Sequence, residues 1–241
     1  MGNGVVVHPM VIKKHRGYDV TITDAQATIG NYLDALEKFL DRIPIDKLRN
    51  PCGDCLGCDL CCRERIPLTS IDYFRLAKHL TGSDGRAFFD RFAWVTVDGR
   101  AVDITLRRDD RGRCCFLDPQ EKVCRVYRVR PFVCRTFTCA PASQRALRLR
   151  SIITNTGEDE LVRIWLALSD HAGRLLVHEA HRPSVKRSDW GPTPFSGQTS
   201  YADIRLKTIC PSNFWRTLWR LPRKQGGKKR GQDTGQGHYF G

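Results

Sequence analysis

The chain has 241 residues, 41% of them hydrophobic, and a net charge of +14. A chain of this length and apolar content can bury a core of its own, so its folding does not depend on disulfide staples. No apolar run reaches the roughly 20 residues that a membrane-spanning helix needs, so no membrane span is expected. The excess positive charge indicates an anionic partner, or simply a solvated basic surface.

The sequence of the first half of the chain predicts both strands and helices. Residues 1–22 are expected to be extended, with YDVTIT as a strand, and residues 24–43 form an amphipathic helix capped by Asp24. A second helix begins after Thr69 or Ser70, and GRAFFDRFAW adds one or two further helical turns. The segment VTVDGRAVDITL is typical of a β-hairpin, because two alternating β-branched runs meet at an Asp-Gly turn.

The second half predicts helices followed by a loop and a basic tail. Two separate helices are expected over 143–153 and 158–170, and a Pro-, Gly- and Ser-rich loop follows from about residue 181. PSNFWRTLWRL predicts a short amphipathic helix whose tryptophans dock on the core. Residues 222–241 carry Lys and Arg among Gly and Gln, which predicts a disordered tail that could bind an acidic protein or nucleic acid.

The eleven cysteines fall mainly into two groups. The segment CGDCLGCDLCCRER covers 52–65, and the second group lies within 112–141. VVVHPMVI is short and followed by charge, which is the wrong order for a secretory signal, so the protein is expected to be cytoplasmic. Thiols stay reduced in that compartment, and an odd count argues against a closed disulfide set.

Clustered thiols in a reducing compartment indicate metal binding, with a redox or thiol-relay role as the alternative. Thiolates are soft ligands that select zinc, copper(I) or iron–sulfur clusters. Cys52, Cys55, Cys58 and Cys62 reproduce the spacing of the bacterial ferredoxin run, although Arg63 replaces the proline that ends it. Zinc needs only tetrahedral groups of four, so the spacing allows either a [4Fe–4S] cluster or zinc.

The two groups together resemble the YkgJ-type cysteine-cluster family, a zinc- or iron-chelating domain with the signature CxxCxxCC. The signature is matched by CLGCDLCC, and CCFLDPQEKVCRVYRVRPFVCR resembles the second half of the family pattern. The resemblance implies a metal site built from both groups. Its ligands would be Cys55, Cys58, Cys61, Cys62, Cys114, Cys124 and Cys134, with Cys139 as an eighth.

The same resemblance places Tyr127, Arg130, Pro131 and Arg135 around the ligands. Cys115 stands where the family has proline and Cys52 lies outside the signature, so both are additional thiols. Flagellin lysine methylase carries a similar signature, which implies a link to protein modification.

Arginines flank the cysteines in both groups, and four thiolates around one zinc leave a local charge of about −2. Arg130 and Arg135 are therefore expected to support the ligands by donating to sulfur.

The sequence thus predicts an α+β fold: a small, metal-organised, cysteine-rich domain with flanking helices and a β-hairpin. We expect an N-terminal extension and helix over 1–50, the metal domain over 51–180, and a loop, amphipathic helix and tail over 181–241. Metal binding is the leading function. An enzyme of protein modification or redox chemistry and a nucleic-acid-binding module are the alternatives.

Overall fold

The computed structural model describes residues 4–46, 58–137 and 139–219. The strands are β1 Val5–Ile12, β2 His15–Ile22, β3 Ala93–Asp98, β4 Ala101–Leu106 and β5 Glu179–His181. The helices are α1 Ile29–Arg42, α2 Ser70–Thr81, α3 Gly85–Phe92, α4 Phe132–Thr136, α5 Gln144–His171, α6 Leu206–Ile209 and α7 Ser212–Leu218. The mixture of helix and strand confirms the predicted α+β class.

An N-terminal hairpin and α1 open the chain. β1 pairs antiparallel with β2, from Val5 opposite Ile22 to Ile12 opposite His15. The first helix starts at Ile29 and not near Asp24, because Thr28 and Asn31 form a capping box. The Asn31 amide donates to the Thr28 hydroxyl at 3.2 Å, and the Thr28 amide donates to the Asn31 side chain at 2.9 Å. These bonds satisfy amides that the helix itself leaves free.

The first hydrophobic core joins both ends of the described chain. The buried faces of β2 and α1 pack with the N-terminal half of α5 and with residues 195–218. Trp215 in α7 is 8% exposed, as the sequence predicted. Trp219 is 40% exposed, so it is not fully docked on the core.

Asp19 and Arg145 form an ion pair at the edge of this core. Their side chains are 10% and 16% exposed, and the Arg145 Nε donates to Asp19 at 3.1 Å. Burial alone would raise the pKa of Asp19, but hydrogen bonds from Arg145 and Ser143 hold it below its usual value.

We expect Asp19→Ala to lower the free energy of unfolding by about 3 kcal/mol at neutral pH, because it removes the carboxylate that accepts hydrogen bonds from the partly buried Arg145 and from Ser143. Asp19 contributes its full stability above the unfolded-state pKa of about 3.9 and loses it as the pH falls through the lowered folded-state value. Urea unfolding of both proteins between pH 7 and pH 3 measures this. A difference that grows on acidification would contradict the assignment.

A second core lies under the predicted hairpin, which the structure confirms. β3 pairs antiparallel with β4, and β5 pairs with β3 in parallel to complete a sheet in the order β4-β3-β5. The inner face of this sheet packs against α2, α3 and the C-terminal half of α5.

The two helices expected over 143–153 and 158–170 are one helix, α5. The sequence TNTG at 154–157 is rich in residues that favour turns, but it sits inside a helix that spans both cores. Gly157 is required there by packing, since a Cβ atom would lie 2.6 Å from the Cβ of Thr69 at the start of α2. The prediction was wrong because tertiary contact overrode local propensity.

The predicted division into three segments stays a prediction. Within the described residues, no helix is long and apolar enough to cross a membrane.

Candidate metal centre

The backbone brings the two cysteine groups together. Cys61 and Cys62 lie in a short 3₁₀ turn, Leu60–Arg63, that follows Cys58. The Cys114 amide donates to the Cys62 carbonyl at 2.7 Å, so a residue of the second group is bonded directly to the first. Cys52 and Cys55 lie outside the described residues.

A tight loop positions Cys114 and Cys124. The Leu117 amide donates to the Cys114 carbonyl at 3.0 Å, and the Arg125 amide donates to the Phe116 carbonyl at 2.9 Å. Between them, the Asp118 carboxylate accepts from the amides of Gln120 and Glu121. The loop therefore closes on itself and holds both cysteines on one side.

Cys134 is placed by α4, and Asp72 of α2 holds the start of that helix. The Asp72 carboxylate accepts from the Phe132 amide at 2.9 Å, the Tyr201 hydroxyl at 2.8 Å and the Thr69 amide at 3.1 Å. Asp72 is 1% exposed, and burial raises its pKa. Sequence analysis did not identify Asp72 as part of the site. Its position three residues after Thr69 signals a capping box, but nothing local signals the bond to Phe132.

The cysteines of both groups line one cavity of about 220 Å³. Among the described residues, the six cysteines on its wall are Cys58, Cys61, Cys62, Cys114, Cys124 and Cys134. Apolar side chains fill much of the rest of the wall, among them Ile66, Leu106, Phe116, Val123, Val126 and Phe137. The site is thus a thiol-rich cavity, called the chamber below, whose remaining wall is largely apolar.

Two further cysteines of the second group take other positions. Cys115 packs against the second core and is not among the described residues that line the cavity. Cys139 follows α4 in a left-handed backbone conformation with φ of 54°, and it too is not on the described wall.

Hydrogen bonds between neighbouring thiols and burial shift the pKa values of the cysteines. The hydrogen bond with Cys62 lowers the pKa of Cys61 to about 7 and raises that of Cys62. The Cys114 pKa is raised by its hydrogen bond with Cys115 and by burial. Burial raises the pKa of Cys124 and Cys134. Metal binding here would displace these protons.

The arginines around the cysteines divide into two sets. Four of them form ion pairs with aspartates: Arg63 with Asp59, Arg65 with Asp103, Arg113 with Asp109, and Arg125 with Asp118. Arg130 instead lines the cavity, and its guanidinium lies 4.2 Å from the centre of the half-exposed Tyr127 ring. Its charge also favours the thiolate forms of Cys61 and Cys124. Arg135 points elsewhere, to Glu37 at 3.5 Å.

The donor set fits a soft metal. Six thiols, apolar walls and a cationic side chain suit zinc or iron bound by thiolates better than they suit magnesium or calcium, which prefer oxygen. Within the described residues, no three His, Cys, Asp or Glu side chains already form a group that could hold a metal ion. The cysteines share a chamber without converging on one point.

His178 belongs to the segment HEAH at 178–181 and is not on the described wall of the cysteine cavity. His178 of the HEAH segment stacks on Trp94, and its Nδ1 accepts from the Val95 amide at 3.1 Å. The basic segment 222–241 lies outside the described residues, so its binding of an acidic protein or nucleic acid stays a prediction.

Comparison with known proteins gives a family match that covers the six cysteines lining the cavity. Residues 54–156 match the family model described as "CxxCxxCC: Putative zinc- or iron-chelating domain". No curated protein and no solved structure matches the chain significantly. The matched range includes the helices between the two cysteine groups and every cysteine of both groups except Cys52. Residues 54–156 are therefore similar to the CxxCxxCC zinc- or iron-chelating family.

Proposed function

We propose that the protein binds zinc or iron through thiolates of the cysteine cavity. The observation that carries this proposal is that six cysteines from two distant segments line one cavity of about 220 Å³. Core packing gives no reason for such a concentration, because free cysteine is otherwise an occasional small apolar residue. Cys55, outside the described residues, and Cys139 complete the proposed ligand set.

The number of thiols supports a centre larger than a single zinc ion. One zinc takes four ligands, and six thiols already line the described wall. An iron–sulfur cluster or a pair of metal ions would use more of them. The apolar wall limits access of water, and Arg130 at the rim offsets part of the negative charge that thiolates bring.

Anaerobic purification of the full chain, followed by elemental analysis and a visible spectrum, tests the proposal. We expect zinc or iron at about one ion per chain or more, since a thiolate site of this kind retains metal through purification. A brown protein with visible absorption would identify an iron–sulfur cluster, and a colourless one with zinc would identify a zinc site. Neither metal above background would refute the proposal.

Removing the metal should destabilise the fold. A ligand present at about 100 times its dissociation constant adds roughly 2.7 kcal/mol to the free energy of unfolding. For a chain of this size that corresponds to a melting temperature higher by about 5–10 °C. We therefore expect a chelator to lower the melting temperature by that amount, measured by circular dichroism, and added metal to restore it. A melting temperature that stays unchanged in the presence of the chelator would exclude a tightly bound ion that the chelator can reach.

A further inference from the structure

A cleft lies beside the cysteine cavity and shares wall residues with it. It is a cleft of about 310 Å³ between the segment 64–67, α4 and the middle of α5. Cys61 and Cys134 line both this cleft and the cysteine cavity, so a molecule in the cleft would lie beside the proposed metal centre. A volume near 300 Å³ is at the lower end of the range for small-molecule sites, about 300–1,000 Å³.

One face of α5 forms the polar wall of this cleft. It presents Arg150, Ser151, Thr154 and Asn155, whose spacing places them on neighbouring turns of the same side of the helix. Positively charged, hydroxyl and amide side chains together are the donors that proteins use to hold an oxyanion.

Arg150 is the cation in this wall that lacks a counter-charge. It is partly buried, and its guanidinium donates to the Thr136 carbonyl at a long 3.5 Å. Among the described residues it forms no ion pair, in contrast to the arginines that flank the cysteines. A partly buried charge without a partner is costly, and a bound anion would offset that cost.

Arg65 lies across the cleft and is oriented from behind. Asp103 forms an ion pair with it on the side of the hairpin, which leaves the rest of its planar fork of five N–H donors for other partners. Glu64 on the same segment also lines the cleft.

We propose that this cleft binds the oxyanion group of a small ligand, with Arg150 as its main partner and Arg65 opposite. The bound ligand lies next to Cys61 and Cys134, and so beside the proposed metal centre. The position of the ligand relative to a metal depends on the proposed function, whereas oxyanion binding by the arginines does not. Carboxylate and phosphate share the required chemistry.

Isothermal titration of acetate and of inorganic phosphate, at constant ionic strength, tests the site on metal-loaded and metal-free protein. We expect saturable binding of at least one anion, weakened about tenfold or more in Arg150→Gln, because a charge-assisted hydrogen bond is lost. Arg150→Lys should bind with intermediate affinity, since it keeps the charge without the fork. Arg65→Gln should also weaken binding, and its exposed side chain makes misfolding a poor explanation for a loss.

The matched control is Arg148→Gln. Arg148 lies on the same helix, is exposed, and stacks over Phe214 at 4.7 Å away from the cleft, so this variant should bind like the wild type. Binding of acetate alone or phosphate alone identifies the ligand class. Absence of saturable binding of both anions, or equal binding by Arg150→Gln and the wild type, overturns the proposal.

Cobalt-substituted protein separates this proposal from the metal function. An anion in the cleft should perturb the visible spectrum of cobalt bound at the cysteines. Anion binding in a protein that takes up no metal would refute the metal function and leave the cleft site. Metal binding with no response to either anion would refute the cleft site alone.

Discussion

Replacing Cys114 with serine is expected to remove most of the bound metal, whereas replacing its neighbour Cys115 leaves the metal content unchanged. Cys114 is buried, lines the cavity and is bonded through its backbone to Cys62. Cys115 packs against the second core and is not on the described wall of the cavity. Loss of a ligand should exceed the about 10–100-fold loss of affinity that follows from removing a supporting residue.

The two variants form a matched pair, because the cysteines are neighbours in sequence and the same sulfur atom is replaced by oxygen in both. Elemental analysis of both purified proteins measures the metal content, and their melting curves with and without chelator measure its contribution to stability. The Cys114→Ser protein should melt near the chelated wild type and respond little to chelator. If both variants keep the metal content of the wild type, Cys114 is not a ligand and the ligands are other cysteines.

The sequence predicts which cysteines come together better than it predicts how the residues around them are arranged. The cysteine spacing alone identified both groups, because few structural reasons place thiols at that density. It could not predict different orientations for Arg130 and Arg135, since both lie within four residues of Cys134 in sequence. In the structure Arg130 faces the thiols and Arg135 faces Glu37. Side-chain direction depends on which helix packs alongside, and α1 is almost a hundred positions away.

The same limit applies to α5. Local propensity at 154–157 predicts a break, but α5 packs into both cores on either side of this segment, and the close approach to Thr69 requires glycine at 157. Once the helix is continuous, Arg150 and Thr154 share a wall with Cys61 and Cys134. No pattern within 143–158 indicates that contact. The cleft therefore results from the packing of the continuous helix α5. A sequence-based prediction that divides this helix in two cannot predict the cleft.

Asp72→Ala is expected to lower the free energy of unfolding by about 3–5 kcal/mol. The carboxylate is the common acceptor for the Phe132 amide, the Thr69 amide and the Tyr201 hydroxyl, all in a buried setting. Removing it leaves the buried amides of Phe132 and Thr69 without this acceptor, each at a cost of about 1–3 kcal/mol before the structure relaxes. The Tyr201 hydroxyl keeps its 2.6 Å hydrogen bond with the Thr69 hydroxyl. Asp72→Asn should cost less, because its amide oxygen still accepts while its NH₂ group opposes one donor.

Asp84→Ala is the matched control, since Asp84 also caps a helix but is exposed and accepts from the Ala87 amide at 3.0 Å. Loss of an exposed cap costs about 1 kcal/mol. Urea unfolding of the three variants should therefore rank Asp72→Ala well above Asp84→Ala, with Asp72→Asn between them. Because Asp72 holds the start of α4, the folded Asp72→Asn protein should also bind metal more weakly than the wild type, by about 10–100-fold. Equal destabilisation by Asp72→Ala and Asp84→Ala would show that the two amides find other acceptors, and that Asp72 does not support the position of Cys134.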